Sequence, residues 1–299
     1  MKQRNFLLFA MLFGLLTNLF AQSNVRQQLN FDFDWFFLLN DDQQYINQPF
    51  PKNQAEAVQL PHDFNIKQNF DKKWSGSAAY LPEVIGWYQK TFTLPQATHG
   101  KQVNIVFDGI FMQSDVYLNG HHLGYRPYGY CSIIYDLTPY LNPPGEENFM
   151  AVRVNTTGGR PRWYAGAGIY RHVWLNVTQD VHVDTYGTYI TTPQVNESNA
   201  EVSVVTTIKN ATTKHQKVSV SQIVKDAQGK RVAKAQVLKI DVKAGSTADV
   251  KHLIDLASPL LWTTETPTLY TLETILKTGG HITDVYTTTF GVRSIEFDP

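Results

Sequence analysis

Carboxylates, histidines and the single thiol are the residues here that could carry acid–base, metal or nucleophilic chemistry, and their spacing is not that of a self-contained catalytic set. Glu83, Glu146, Glu147, Glu197, Glu201, Glu265, Glu273 and Glu296 stand singly or in turn-like settings, with no carboxylate pair placed in an apolar pocket. His121-His122 falls in a hairpin signal and lacks a third partner at ligand spacing, so no metal site is expected. No phosphate loop, serine-triad motif or nucleotide fingerprint occurs, and no cofactor is expected. His62-Asp63 could be taken for a dyad, but adjacent residues on a strand point to opposite faces. A turn-capping Asp63 beside a surface His62 is the favoured reading. Cys131 is the only cysteine, which excludes an intrachain disulfide, and with no accompanying motif it reads as a small buried hydrophobe.

The elements that must position these residues are short strands. Asn104 begins an apolar run that ends at Asp108-Gly109, and Val116-Tyr117-Leu118 runs into Asn119-Gly120, a strong two-residue hairpin signal. Ala151-Val152-Arg153-Val154 and Val173-Trp174-Leu175-Asn176-Val177 follow the same pattern. After Gln179-Asp180 the aromatics thin out, and alternation runs through Val202-Ser203-Val204, Val218-Ser219-Val220 and Tyr270-Thr271-Leu272. Turns at Asp226-Ala227-Gln228-Gly229 and Lys277-Thr278-Gly279-Gly280-His281 join these runs, which predicts a second sandwich, immunoglobulin-like, over 181–292. Trp87, Tyr88 and Trp174 read as core, and Asp108 and Asp136 as turn residues accepting local backbone bonds.

Composition narrows the partners. The 299 residues carry 26 Lys+Arg against 26 Asp+Glu, so no global field holds nucleic acid or an anionic membrane. A neutral partner fits better, and the 17 Phe, 15 Tyr and 6 Trp supply both core and stacking surface.

Six motifs follow one another along the chain. They are Leu60-Pro61-His62-Asp63-Phe64, Gly86-Trp87-Tyr88, Phe107-Asp108-Gly109-Ile110-Phe111-Met112, Val116-Tyr117-Leu118-Asn119-Gly120, Tyr128-Gly129-Tyr130 through Leu141, and Arg162-Trp163-Tyr164-Ala165-Gly166-Ala167-Gly168-Ile169-Tyr170-Arg171. Together they resemble the jelly-roll sugar-binding domain of glycoside hydrolase family 2, and the second sandwich resembles that family's immunoglobulin-like domain. The resemblance implies an all-β chain, with a jelly roll over 22–180, an immunoglobulin-like sandwich over 181–292 and the start of a linker to a catalytic barrel over 293–299. It implies a β-galactosidase-like parent, a β-linked carbohydrate and the barrel as partners, and catalytic carboxylates on the barrel, since retention needs two such groups about 5 Å apart. It also makes Asp63, Arg162 and Tyr164 the candidate substrate-binding residues: a guanidinium offers fixed donors to hydroxyls, and a phenol both stacks and hydrogen-bonds. Arg162 pairing with a barrel carboxylate is the alternative, and a free-standing carbohydrate-binding or structural surface protein is the alternative for the whole chain.

Two further expectations concern the ends. Lys2 and Arg4 precede an apolar run over 6–16, and Ala21 precedes polar Gln22-Ser23-Asn24, a secretory pattern with cleavage after Ala21 and no membrane span thereafter, an uncleaved anchor being the alternative. The expected location is periplasmic or extracellular. Phe290-Gly291-Val292-Arg293-Ser294-Ile295-Glu296-Phe297 reads as an exit strand, and the segments around Arg162-Trp163-Tyr164 and the approach to Trp87 are expected to expose aromatic surface.

Overall fold

A computed structural model describes residues 25–158 and 163–297. The leader pattern with its cleavage point at Ala21, the site candidate Arg162, and the last two residues lie outside the described residues. The chain divides into two compact units, one of 27–177 and one of 178–299 that also takes in Arg26.

The first unit contains β1 (Arg26–Asn30), β2 (Trp35–Leu38), β3 (Glu56–Val58), β4 (Ile85–Thr93), β5 (Gln102–Phe107), β6 (Ser114–Leu118), β7 (His121–Arg126), β8 (Ile133–Asp136), β9 (Glu147–Asn155) and β10 (Val173–Thr178). They form a six-stranded sheet in the order β3-β2-β4-β9-β6-β7 and a four-stranded sheet in the order β1-β10-β5-β8, a jelly-roll sandwich. Alternation explains the strands: Val116 and Leu118 turn inward while Asp115 and Tyr117 face out. Asn119 and Gly120 adopt φ of 49° and 82°, the left-handed pair that a tight two-residue hairpin between β6 and β7 requires. Trp35, Phe37, Phe64, Tyr88, Ile105, Phe107 and Ile133 fill the core, with Phe37 stacked on Phe64 at 5.1 Å.

The second unit contains β11 (Val181–Val195), β12 (Asn199–Asn210), β13 (Gln216–Lys225), β14 (Arg231–Lys234), β15 (Leu238–Val242), β16 (Ser246–Ala257), β17 (Tyr270–Thr278) and β18 (His281–Phe290). One sheet runs β11-β12-β16 and the other β14-β13-β17-β18, with β15 paired to β13, an immunoglobulin-like sandwich. Its core is split. Val202, Val204, Val224 and Leu272 belong to one apolar cluster, and Ile208, Val218, Val220 and Leu276 to another. Between them, along the same inward faces, lie buried Thr206, Gln222, His252 and Thr274. Gln222 Nε2 donates to Thr206 Oγ1 at 2.9 Å, which partly meets the cost of burying this belt.

Several expectations change here. Cys131 is exposed, because it sits in the β7–β8 connection and not on an inward strand position. The approach to Trp87, residues 81–86, is buried or half-buried and does not expose the surface expected of it. Trp87 itself is fully buried, in keeping with its reading as core, in a small cluster with Tyr45, Phe50 and Ala151. Asp108 is not a purely local turn residue: its Oδ2 accepts the indole N–H of Trp174 at 3.0 Å, and Trp174 is only half-buried. The predicted exit strand stops at Phe290, where the register with Tyr270 ends, and 291–297 is non-strand. That segment is held instead by Trp262 N–H donating to Val292 O at 2.9 Å and by the Arg293 guanidinium lying 4.6 Å above the Trp262 ring.

Candidate functional site

Three connections of the first unit close around a fourth, the β9–β10 segment 163–172. The β5–β6 connection bridges it: Phe111 N–H donates to Gly168 O at 2.9 Å, and Gly168 N–H returns a bond to Phe111 O at 2.8 Å. From the β3–β4 connection, His62 N–H donates to Ile169 O at 2.8 Å. From the β7–β8 connection, Tyr130 Oη donates to Ala165 O at 3.1 Å, while Tyr170 Oη donates back to Gly129 O at 2.9 Å. Residues 163–172 are therefore a strap tied on every side. Gly168 makes the tie possible, since its φ is +92° and a Cβ would lie 2.7 Å from His62 O and inside contact distance of Tyr88 Oη.

Asp63 anchors the strap. Its Oδ1 accepts Asn65 N–H at 2.9 Å and its Oδ2 accepts Ala167 N–H at 3.2 Å, while Tyr164 Oη donates across both oxygens at 2.8 and 2.7 Å. Asp63 and Tyr164 thus come together from 101 residues apart. Because the phenol's one proton goes to Asp63, a sugar hydroxyl meeting Tyr164 Oη would have to act as donor.

His62 points the other way. Its Nδ1 lies 2.9 Å from Tyr88 Oη, and its ring lies 5.2 Å from that of Phe37. It is half-buried and not the surface histidine expected from sequence, because the strap covers it. Burial, with the Lys67 ammonium second, holds its pKa below the usual imidazole value, and burial pushes the Tyr88 phenol well above its own. This pair braces the core beneath the strap.

Exposed aromatic side chains border the strap. Trp163 is 63% exposed, and Tyr128 and Tyr130 are exposed with their rings at 5.7 Å in an edge-to-face arrangement. Tyr130 also lies 5.3 Å from Phe111. Such faces suit the C–H-rich faces of a sugar ring. Tyr128 and Tyr130 were present in the sequence as an aromatic-Gly-aromatic triplet, but only the folded connection shows that they border the strap. His121 and His122 go elsewhere: His121 stacks on Tyr140, and His122 Nε2 lies 2.9 Å from Asp115 Oδ1.

Residues 28–179 match the sequence profile of the glycosyl hydrolases family 2 sugar-binding domain, and residues 181–293 match that of glycosyl hydrolases family 2. The chain belongs to glycoside hydrolase family 2. It is 40% identical over 277 residues to the β-galactosidase BoGH2A of Bacteroides ovatus, covering 91% of this chain and 32% of that protein. A putative β-glucuronidase of Formosa agariphila is 32% identical, covering 90% and 25% respectively. Among solved structures, a family 2 member from Bacteroides cellulosilyticus superposes with a TM-score of 0.84 at 30% identity, covering 91% of this chain and 36% of that one. The chain therefore spans about a third of the length of these relatives.

Proposed function

We propose that this chain is the non-catalytic scaffold of an exported family 2 β-glycosidase, β-galactosidase-like, whose strap at 163–172 forms one wall of the sugar pocket. The supporting observation is the Asp63–Tyr164 anchor, which fixes the strap while Trp163 remains open to a ligand. The match to relatives named as β-galactosidases and β-glucuronidases supports a β-linked hexoside or hexuronide as substrate. Two carboxylates would come from the catalytic domain, and this chain would contribute positioning and water exclusion. Export rests on the basic, apolar and small-residue order of the first 21 residues.

The test is hydrolysis of aryl β-galactosides and β-glucuronides by the chain alone and after joining to a family 2 catalytic domain. Background rates alone and turnover after joining are expected. Turnover by the chain alone that survives repurification and vanishes on changing one of its own carboxylates would overturn the reading. The exposed Tyr128–Tyr130 pair favours one second reading, a module that binds glycan without any catalytic partner. Retention on an oligosaccharide array with no effect on a joined catalytic domain would select it.

A further inference from the structure

Strand register in the second unit gathers three lysines around a single carboxylate, Asp241. On the outer face of β15-β13-β17, Ser219 is directly opposite Lys239 on one side and Lys277 on the other. Neighbouring strands lie about 4.8 Å apart, so the two lysines start roughly 10 Å from each other across Ser219. Lys217 lies two residues along β13, on the same face and directly opposite Asp241 of β15. All three lysines are exposed, and no carboxylate lies within ion-pair distance of any of them among the described residues. They border a concavity of about 530 Å³ that opens beside the Gly279-Gly280 hairpin. Asp241 also borders it, with its Oδ1 3.1 Å from His215 Nε2.

We infer that this face binds a uronate polysaccharide, with Lys217, Lys239 and Lys277 meeting sugar carboxylates and Ser219 and Asp241 meeting hydroxyls. The chain's formal charge is zero, so the attraction is local and not a consequence of overall basicity. No aromatic residue lines the concavity, which removes the stacking that single-stranded nucleic acid binding uses. Asp241 disfavours a polyanion in proportion to its charge density, so a uronan with one charge per sugar fits better than a densely sulfated chain and leaves hydroxyls that the carboxylate can accept from. Lysines are point charges on flexible stems, suited to a repeating polyanion more than to one fixed bidentate group. The face lies wholly within the second unit and does not involve the 163–172 strap, so failure of the proposed function leaves it standing and the reverse also holds.

The experiment is binding of the full chain to polygalacturonate at low and physiological salt, beside dextran sulfate, an oligonucleotide and anionic phospholipid vesicles. Lys217, Lys239 and Lys277 are changed together to Ser and compared with a Lys72, Lys230 and Lys251 triple of equal charge. The expected result is polygalacturonate binding that weakens about tenfold in the first triple, is unchanged in the second, and has a shallower salt dependence in the first. Equal losses in both triples would show non-specific charge attraction and overturn the inference. So would absence of polygalacturonate binding, or tighter binding to dextran sulfate, oligonucleotide or vesicles. Circular dichroism melts of both triples separate lost binding from lost folding.

Discussion

In the jelly roll the long strands β4 and β9 run nine residues each, and connecting segments such as 59–84 and 163–172 carry the chemistry-bearing side chains. In the immunoglobulin-like unit β12 and β16 pair over twelve consecutive residues, and the lysine row and the buried polar belt are placed by register. The first design brings Asp63 and Tyr164 together from distant segments through side-chain bonds, with Trp163 next to Tyr164 in sequence. The second can only repeat a spacing, which suits a row of lysines or a buried belt but not a shaped pocket. A change in the jelly-roll strap should therefore act locally, and a change at a buried charge of the second unit should act on the whole unit.

The largest expected effect follows from that contrast. Asp284 is fully buried, takes two bonds from Arg26 at 2.9 and 2.8 Å, and accepts Val183 N–H at 2.8 Å. Asp284→Ala strands the guanidinium and should cost about 3–5 kcal/mol in urea unfolding of the second unit. A loss below about 1 kcal/mol would show that Arg26 finds water instead.

Gly168→Ala comes next, because the new Cβ meets both Tyr88 and His62 at a left-handed φ. It should cost about 3 kcal/mol in the first unit, and an unchanged melting midpoint would mean the strap can shift aside. Asp63→Ala should cost only about 1–2 kcal/mol globally, since its three donors face a partly solvated loop. Amide exchange of 163–168 should rise sharply in this variant while β12 and β16 remain protected. Uniform loss of protection would erase the distinction between the two units.

The smallest effect concerns acid. His182 and His252 are buried, and burial holds both below the ordinary imidazole pKa, with Arg26 adding to the effect at His182. The unfolded chain takes up these protons near pH 6.5, while the folded unit resists them. Their contribution is present above about pH 6.5 and is lost as pH falls through the folded pKa values. The urea midpoint of the second unit should fall between pH 7.5 and pH 5, and a His182→Leu, His252→Leu double variant should flatten that slope. An equal slope in the variant would assign acid sensitivity to the carboxylates.

Much of the fold was legible because alternation and turn chemistry are local. Asn119-Gly120, the runs around Val116 and Val218, and the turn at Asp226 each specify their element within a few residues. The site was legible only through motif order, and its physics was not. Nothing near Asp63 in sequence reveals that its partners are Tyr164 and Ala167, since that contact is set by how two long connections pack. The exposure of Cys131 likewise depends on which side of a connection faces the core. The lysine row needs the register of three strands, which no single strand encodes.

The measurement that tests the scaffold role most directly is the steady-state kinetics of Trp163→Ala in the chain joined to a family 2 catalytic domain. If the strap forms a wall of the sugar pocket, KM should rise about tenfold, the loss of roughly 1.4 kcal/mol of ground-state binding, with kcat within about twofold. A KM and kcat both unchanged from the parent would contradict it.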